Sequence, residues 1–451
     1  MLVNGNPEPV FALYAFLLAL ALSWILVPPT RRLAWRIGAI DYPNERSIHT
    51  VPTPRLGGLA ILVAVLAAGL LFLPLAPITR AILGGAVAIS ALGVVDDVFE
   101  LNAGVKLVGQ IVAVAIPVFN GVRVGTFTLP FIGGVNPNSV NLFHFPVLGE
   151  VSLSHILTIL GIVAVVNVIN FTDGVDGLAA GVCAISGVTL AVIALSLERT
   201  GAGVLAAIAA GGALGFLWHG FPPASSFMGD TGSGLLGYLL GGIAVEGALK
   251  TNAVVALFFP LIILAVPILD TGFVVAKRIK YRRPIHKGDT WHFHHRMANI
   301  GFSQRRTLAY LYGWVLVLAA LALALRFVPY SDNHGHFNPG WTAVIVACLL
   351  AAGAASVYLV VVLEILKLRS ERARDLFRIA GRPAPATAVD EGVVRELETG
   401  TFAVVDPRAA SSRPSTPRPA SSRRSGRTDP SSRVKPAPLP DAGAQAECPE
   451  A

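Results

Sequence analysis

The sequence Trp291-His292-Phe293-His294-His295-Arg296 lies inside a strongly cationic stretch, residues 277–306, that separates two long apolar runs. The stretch carries nine basic residues: Lys277, Arg278, Lys280, Arg282, Arg283, Lys287, Arg296, Arg305 and Arg306. Apolar runs on both sides predict a polar loop held at a membrane surface. Three histidines beside an arginine exceed the needs of a topology signal, because that signal uses only Lys and Arg. The loop therefore predicts a binding site for phosphate groups, and the alternative is a basic orientation loop with incidental histidines.

The composition of the whole chain indicates a polytopic membrane protein. Of its 451 residues, 54% are hydrophobic and 14% are charged, and the mean hydropathy is +0.65. These values lie outside the range of soluble globular proteins. The cysteines, Cys183, Cys348 and Cys448, are widely spaced, and two of them lie in apolar runs. Neither a disulfide framework nor a thiolate metal site is predicted.

Eleven apolar runs are predicted to span the membrane as helices. They cover approximately residues 11–27, 57–76, 81–95, 105–119, 155–171, 177–195, 203–218, 233–248, 254–276, 308–327 and 342–366. The first run follows Glu8 and precedes Arg31, Arg32 and Arg36, which is the reverse of a signal peptide's charge order. We expect an uncleaved first helix with the N-terminus outside.

Threading the runs from an outside N-terminus predicts which loops share a face. The cytoplasmic loops lie near residues 28–56, 96–104, 172–176, 219–232 and 277–307. The first of these holds five arginines and the last holds the nine basic residues given above, whereas the outer loops hold only Arg80, Arg123, Arg199 and Lys250. This distribution follows the positive-inside rule. It predicts a multi-pass membrane protein whose basic loops face the cytoplasm.

Two regions outside the spans have their own patterns. Residues 120–154 contain a short β-like segment and clusters of Pro, Gly and Asn, which predict a short hairpin. Residues 368–451 are rich in Arg, Ser, Pro and Ala without apolar periodicity. Such a segment cannot bury enough apolar surface to order itself. We therefore expect a membrane domain at residues 1–367 and a disordered cytoplasmic tail at residues 368–451.

Asp96 and Asp97 end the third run. Adjacent carboxylates at a helix C-terminus repel each other and meet the negative end of the helix dipole. A divalent cation would compensate both effects. The pair therefore predicts a metal or a catalytic task, and the alternative is a solvated acidic helix end.

A second acidic motif lies at residues 167–177. If its turn is helical, Asp173 and Asp176 lie three residues apart on one face. Gly174 and Gly177 would let a ligand approach the backbone closely. The turn predicts a site for a metal or for sugar hydroxyls, and the alternative is an ordinary Gly-Asp loop.

A third acidic motif, Phe227-Met228-Gly229-Asp230-Thr231-Gly232-Ser233-Gly234, opens the eighth run. Asp230 could be the N-cap of that helix. A glycine-rich helix N-terminus is also suited to binding phosphate.

All these motifs fall on the face that the basic residues define independently. Carboxylates without thiolates favour Mg²⁺ or Mn²⁺, and the cationic loop would bind phosphates. Together they predict metal-assisted phosphoryl transfer. The alternative is a transporter of an anionic solute, but the sequence shows neither an internal repeat nor a cluster of midspan charges.

In their order along the chain, these motifs resemble the polyprenyl-phosphate N-acetylhexosamine-1-phosphate transferase family of membrane enzymes. The resemblance covers about residues 10–367 and rests on five stretches: His49-Thr50-Val51-Pro52-Thr53-Pro54-Arg55-Leu56-Gly57-Gly58, residues 93–97 with Lys106, residues 167–177, residues 227–234 and His292-Phe293-His294-His295-Arg296. It implies an all-α integral membrane fold of about ten or eleven helices with a cytoplasmic active site.

The resemblance also implies a reaction. A UDP-N-acetylhexosamine and a polyprenyl phosphate, such as undecaprenyl or decaprenyl phosphate, would give a lipid-linked sugar diphosphate and UMP, which initiates a cell-envelope polymer. The order His-x-His-His-Arg is similar to the branch that uses UDP-N-acetylglucosamine, and the muramoyl-pentapeptide branch is the alternative. The expected partners are these two substrates and the bilayer, with a homodimer as an option and no nucleic acid.

Family roles can be transferred to the matching positions. Asp96 or Asp97 would assist the lipid phosphate as nucleophile, and both are grouped with Asp230 as catalytic. Asp230 would bind Mg²⁺ (or Mn²⁺), with Asn170 and Asp173 as further metal ligands. The expected substrate-binding residues are Lys106, Asn170, Asp173, Asp176, His292, His294, His295 and Arg296.

One position departs from the family pattern. Gly220 stands where the family usually has an asparagine ahead of the third acidic motif. His219 or a water molecule could replace the missing amide. The departure also keeps open the hypothesis of an inactive scaffold that recruits partners through its tail.

Overall fold

The described part of the chain is predominantly α-helical. A computed structural model describes residues 2–3, 6–7, 9–43, 51–125, 127–129, 133–145, 149–248, 264–280, 297, 302–329 and 338–358. Within these residues the helices are α1 (Val10–Ile37), α2 (Gly57–Phe72), α3 (Pro77–Phe99), α4 (Ala103–Phe119), α5 (Leu153–Thr172), α6 (Leu178–Ser196), α7 (Thr200–Gly220), α8 (Gly229–Ile243), α9 (Ala265–Lys280), α10 (Gln304–Phe327) and α11 (Pro339–Tyr358).

Short strands form four two-stranded antiparallel sheets within the described residues. The pairs are β1 (Leu2–Val3) with β2 (Asn6–Pro7), β3 (Ile40–Asp41) with β4 (Thr53–Pro54), β5 (Phe127–Leu129) with β6 (Gly133–Val135), and β7 (Asn141–Phe145) with β8 (Gly149–Ser152). The single hairpin predicted for residues 120–154 was therefore wrong in number. Two hairpins form there, because the 3₁₀ turn Pro137–Ser139 separates two pairs of strands.

Seven of the described helices are long and apolar enough to cross a membrane: α1, α3, α5, α6, α7, α10 and α11. The shorter apolar helices α2 and α4 have 16 and 17 residues. This architecture is that of a helical, multi-pass membrane protein. The count of eleven spans and the side of the membrane stay predictions. Residues 254–263 of the ninth run and 359–366 of the last run lie outside the described residues, as does the predicted tail.

The first helix is longer than the sequence predicts. α1 continues to Ile37, so Arg31, Arg32 and Arg36 extend a helix instead of opening a loop. These charged residues are compatible with helix once the chain has left the apolar run. The helix ends where Gly38 adopts φ 81° and its N–H donates to the carbonyl of Ala34. Glycine is the residue that most readily adopts this left-handed C-terminal conformation.

Helix α8 lies at the centre of the bundle, and residues 231–241 are all buried. Glycines allow its neighbours to approach closely. A Cβ added at Gly237 would lie 2.7 Å from Cα of Val166 in α5. Between α1 and α7, a Cβ at Gly215 would lie 3.0 Å from Cβ of Ser23. Small residues at such contacts are the usual means of packing helices tightly in membranes.

Candidate active site

A cavity of about 470 Å³ opens at one end of the bundle, where α3, α5 and α7 end and α6 and α8 begin. Its lining brings together carboxylates from four separate segments of the chain. These are Asp41, Asp96, Asp97, Glu100, Asp173, Asp176 and Asp230. The acidic motifs that the sequence places on one face therefore meet around one space.

Asp230 lies in the first turn of α8 and is not its N-cap, because Met228 occupies that position. Its carboxylate accepts hydrogen bonds from the ammonium of Lys106 on α4 and from the amide nitrogen of Asn170 on α5. The same Asn170 nitrogen lies 3.0 Å from Oγ of Ser233. Helices α4 and α5 thus fix the orientation of the Asp230 carboxylate.

The carboxylate of Asp97 caps the N-terminus of α8. Its Oδ1 accepts from the backbone N–H of Asp230 at 2.9 Å. Its Oδ2 accepts from the backbone N–H and the hydroxyl of Thr231 at 3.1 and 2.7 Å. A helix N-terminus has unpaired N–H groups and a partial positive charge, so this carboxylate satisfies both.

Asp96, the adjacent residue, faces a different set of partners. Its Oδ2 lies 2.7 Å from the Lys106 ammonium, and its Oδ1 accepts from the N–H of Leu101 at 2.8 Å. Lys106 therefore bridges Asp96 and Asp230. The two neighbouring carboxylates are therefore not equivalent. Asp97 binds the N-terminus of α8, whereas Asp96 pairs with the Lys106 ammonium.

Two glycines let the N-terminal turn of α8 press against its neighbours. A Cβ at Gly93 of α3 would lie 2.5 Å from the Thr231 nitrogen, and one at Gly58 of α2 would lie 2.5 Å from Cα of Gly232. Both distances are shorter than real Cβ atoms accept. The position of Asp230 thus depends on the absence of side chains at these two positions.

Asp173 and Asp176 lie in the turn between α5 and α6, which is not helical. The helical geometry that would put them on one face of a helix is therefore not the one found, although both line the cavity. Partial burial, and then the negative charges of Asp230, Asp97 and Asp176, raise the pKa of the Asp173 carboxyl well above its usual value. Asp176 accepts a hydrogen bond through Oδ2 from the N–H of Ala224 at 3.1 Å, so it also holds the loop after α7.

The site includes two side chains to which the sequence analysis gave no role, Asp41 and Arg55. Their ion pair, at 2.5 Å, joins the segment after α1 to the segment before α2. Arg55 belongs to the first of the matching stretches, where its charge was counted only as a topology signal. That membership was the available clue.

The backbone on either side of Arg55 pairs with the segment that leads into α8. The N–H of Phe227 donates to the carbonyl of Pro54 at 2.8 Å, and the N–H of Gly57 donates to the carbonyl of Phe227 at 3.0 Å. The N–H of Gly58 donates to the carbonyl of Met228 at 2.9 Å. Residues 54–58 and the turn that carries Asp230 therefore form one connected unit.

Gly220 lines the cavity, but His219 does not supply a replacement amide in this arrangement. The Nε2 atom of His219 lies 3.0 Å from the carbonyl of Trp24 in α1. A Cβ at Gly220 would lie 2.6 Å from the ring of Phe216. Glycine therefore fits at position 220, whereas a larger side chain would meet the Phe216 ring.

His292, His294, His295 and Arg296 lie outside the described residues, so their contribution to the cavity stays a prediction. The next residue, Met297, is described and buried. It belongs to the same hydrophobic cluster as Val175, which lines the cavity.

The sequence of the chain is similar to those of known transferases. Residues 79–248 match the model of glycosyl transferase family 4. The chain is 37% identical over 313 residues to a probable undecaprenyl-phosphate N-acetylglucosaminyl 1-phosphate transferase of Bacillus subtilis, covering 68% of this chain and 84% of that protein. It is 36% identical to a decaprenyl-phosphate N-acetylglucosaminephosphotransferase of Mycolicibacterium smegmatis, covering 77% and 86%.

A more distant relative has a different name. A phospho-N-acetylmuramoyl-pentapeptide-transferase of Desulforudis audaxviator is 32% identical, with 70% of this chain and 98% of that protein covered. All three relatives are transferases, and each is matched over more than two thirds of its length. The chain therefore belongs to glycosyl transferase family 4 and, within it, to the polyprenyl-phosphate N-acetylhexosamine-1-phosphate transferases.

Proposed function

We propose that this protein transfers N-acetylglucosamine-1-phosphate from UDP-N-acetylglucosamine to undecaprenyl or decaprenyl phosphate and releases UMP. The product would begin a lipid-linked cell-envelope polymer. The names of the Bacillus and Mycolicibacterium relatives support both the sugar and the acceptor. The observation that carries the proposal is the cluster of carboxylates around Asp230, set in a cavity of about 470 Å³, a volume typical of small-molecule sites.

The reaction needs no covalent enzyme intermediate. An oxygen of the lipid phosphate attacks the phosphorus that carries the sugar, and a new phosphorus–oxygen bond forms. The bond between that phosphorus and the bridging oxygen of the diphosphate breaks, and UMP leaves with that oxygen. Positioning and charge neutralisation provide most of the catalysis in such transfers.

The two adjacent aspartates are proposed to divide the work. Asp97 has both oxygens occupied by the N-terminus of α8, so its task is to position Asp230. Asp96 has Lys106 as its charged partner and lies beside Asp230, so it is the one suited to assist the lipid phosphate. Lys106 would then offer its ammonium to a phosphate oxygen.

Mg²⁺ or Mn²⁺ is part of the proposal. Among the described residues, no three His, Cys, Asp or Glu side chains form a metal cage. Mg²⁺ in phosphoryl-transfer sites is usually held by one or two carboxylates, substrate phosphates and water. Asp230, with Asp96 beside it, fits that mode, and a bound cation would neutralise charge on the diphosphate. The amide nitrogen of Asn170 faces Asp230 in this structure. The roles of Asn170 and Asp173 as metal ligands stay predictions.

The histidines and the arginine of the cationic loop are also part of the proposal. Arg296 immediately precedes Met297, which shares a hydrophobic cluster with Val175 of the cavity wall. His292, His294, His295 and Arg296 would bind the diphosphate or the sugar of the donor. The site would face the cytoplasm at the plasma membrane, as the distribution of Lys and Arg favours. A homodimer stays an option, since the structure contains one chain.

The test is an assay with purified full-length protein, undecaprenyl phosphate, Mg²⁺ and labelled UDP-sugars. We expect labelled lipid with UDP-N-acetylglucosamine and none with the UDP-muramoyl-pentapeptide. Product only with the muramoyl donor would move the chain to the other branch. No lipid product with any donor would contradict the proposed reaction and favour the scaffold.

A further inference from the structure

The charges that line the cavity are strongly unbalanced. Among the described lining residues there are seven carboxylates and one cationic side chain, Arg55. Lys106 approaches the cluster from an adjacent crevice of about 10 Å³, where it is already bonded to Asp96 and Asp230. Both substrates of the proposed reaction carry phosphate charge. A phosphate entering this cavity therefore needs cationic partners, and among the described lining residues Arg55 is the one that is available beside Lys106.

The backbone of Arg55 is fixed beside the turn that carries Asp230. Its N–H donates to the carbonyl of Ala39 at 3.0 Å. Its own carbonyl packs so tightly on Gly229 that a Cβ there would clash with it. Gly229 also has φ +69°, which favours glycine. The start of the Arg55 side chain is thus held in a constant position relative to Asp230.

The guanidinium, by contrast, is held by partners that a ligand could replace. It pairs with Asp41 at 2.5 Å and lies 4.0 Å from Glu100. The Arg55 side chain is 29% exposed, and that of Glu100 is 85% exposed. Partly exposed ion pairs contribute little to stability, so exchanging one partner for another is easy. The planar guanidinium fork matches two oxygens of a phosphate, which a lysine ammonium cannot do.

We infer that Arg55, which pairs with Asp41 in this structure, is a phosphate-binding residue of the active site. On substrate binding, the guanidinium exchanges Asp41 for phosphate oxygens. The inference rests on the proposed function, because it takes the ligand to be the diphosphate of the nucleotide sugar or the phosphate of the lipid. These two sources share one chemistry, and binding experiments can separate them.

The test measures equilibrium binding to the purified full-length protein without turnover. UDP-N-acetylglucosamine is titrated in the absence of lipid acceptor, and undecaprenyl phosphate is titrated in nanodiscs in the absence of donor. The variants are Arg55→Gln and Asp41→Asn. The second is the matched control, because it removes the same ion pair but leaves the cation in place.

We expect Arg55→Gln to weaken binding of at least one ligand by about tenfold or more, as loss of a charge-assisted hydrogen bond should. Asp41→Asn should leave that affinity within about twofold or strengthen it, because Arg55 no longer has to leave a charged partner. Weaker donor binding assigns Arg55 to the diphosphate, and weaker lipid binding assigns it to the acceptor phosphate.

Two results would overturn the inference. If Arg55→Gln and Asp41→Asn weaken binding equally, the ion pair is structural. If Arg55→Gln changes neither affinity, the guanidinium does not meet a phosphate. Should Arg55→Gln fail to fold, Arg55→Lys is compared with Asp41→Asn under the same criteria. The lysine variant lacks the planar guanidinium fork, so we expect its affinity for the ligand to fall by about threefold or more. Failure of the proposed function would show separately, as absence of lipid product from the wild-type protein.

Discussion

Two parts of the active-site cavity hold their charges in different ways. In the centre, formed by Asp96, Asp97, Lys106, Asn170 and Asp230, every carboxylate has at least two partners on helices or helix ends. At the rim, formed by Asp41, Arg55 and Glu100, the arginine is held by an ion pair between segments that lie outside the helices.

Exposure sets Glu100 apart from the other charged groups: its side chain is 85% exposed, whereas those of Asp41, Arg55 and Asp230 are 19%, 29% and 28% exposed. The centre and the rim therefore differ in the number of partners that hold each charge. A charge fixed by several buried bonds is in place before the substrate arrives, which is the property expected of groups that stabilise a transition state. A charge held by one accessible partner can rearrange on binding. The difference is consistent with the two proposals, that the centre performs the chemistry and that Arg55 at the rim binds phosphate.

After Asp230, the largest effects are expected from the two adjacent aspartates. Asp97→Asn removes one of two acceptor oxygens, so at least one N–H at the start of α8 loses its partner, at a cost of about 1–3 kcal/mol. We expect a lower melting temperature and loss of turnover together. Asp96→Asn keeps an acceptor for Leu101, so it should melt like the wild type while losing activity about a hundredfold or more.

The measurement is thermal unfolding in detergent beside the transfer rate for both variants. Equal, mild losses of activity with unchanged melting would mean that both carboxylates are merely solvated. Loss of stability in the Asp96 variant alone would reverse the roles assigned to the pair.

The next effect tests how tightly the centre is packed. Gly93→Ala places a Cβ 2.7 Å from the Asp230 carbonyl carbon, so the start of α8 must move away from α3. Overpacking of this kind costs about 1–3 kcal/mol, and a displacement near 1 Å can lower a rate about a hundredfold. Gly84→Ala is the matched control in the same helix, because a Cβ there has no neighbour within 4 Å among the described residues.

Melting temperature and transfer rate are again the two measurements. We expect Gly84→Ala to match the wild type in both. If the Gly93 variant also matched it, the contact between α3 and α8 would not set the position of Asp230.

The smallest effect is expected at the rim. Glu100→Gln removes a carboxylate 4.0 Å from Arg55, with the Glu100 side chain largely in solvent. Exposed pairs of this kind contribute little, so the KM values for both substrates should stay within about twofold of the wild type. A tenfold or larger change, on the order of 1.4 kcal/mol, would show that the rim is as firmly organised as the centre.

Much of the centre could be predicted from the sequence, since carboxylates at the ends of apolar runs must meet if the runs cross a membrane in turn. The inequality of Asp96 and Asp97 was also predictable, because neighbours on a helix point about 100° apart. The separate roles of Asp96 and Asp97 could not be predicted from the sequence. They depend on the approach of α8 to α3 at Gly93, a tertiary contact with no local signal.

Other features required the fold for similar reasons. The sequence left open whether the turn with Asp173 and Asp176 is helical, and the structure shows a non-helical turn in which Gly177 takes φ +77° at the start of α6. The role of Arg55 was hidden because a basic residue beside an apolar run has an ordinary explanation in topology. The length of α1 was underestimated because hydropathy marks where the apolar run ends and not where the helix ends.

The most direct test of the central claim is the transfer rate of Asp230→Asn, measured with purified protein, UDP-N-acetylglucosamine, undecaprenyl phosphate and Mg²⁺. The substitution keeps the shape of the side chain and removes its charge. Gly242→Ala in the same helix is the control, because no atom of the described residues lies within 4 Å of a Cβ there. We predict less than about one thousandth of the wild-type rate, with the control unchanged. A folded Asp230→Asn variant with more than about a tenth of the wild-type rate would contradict a transfer site centred on Asp230.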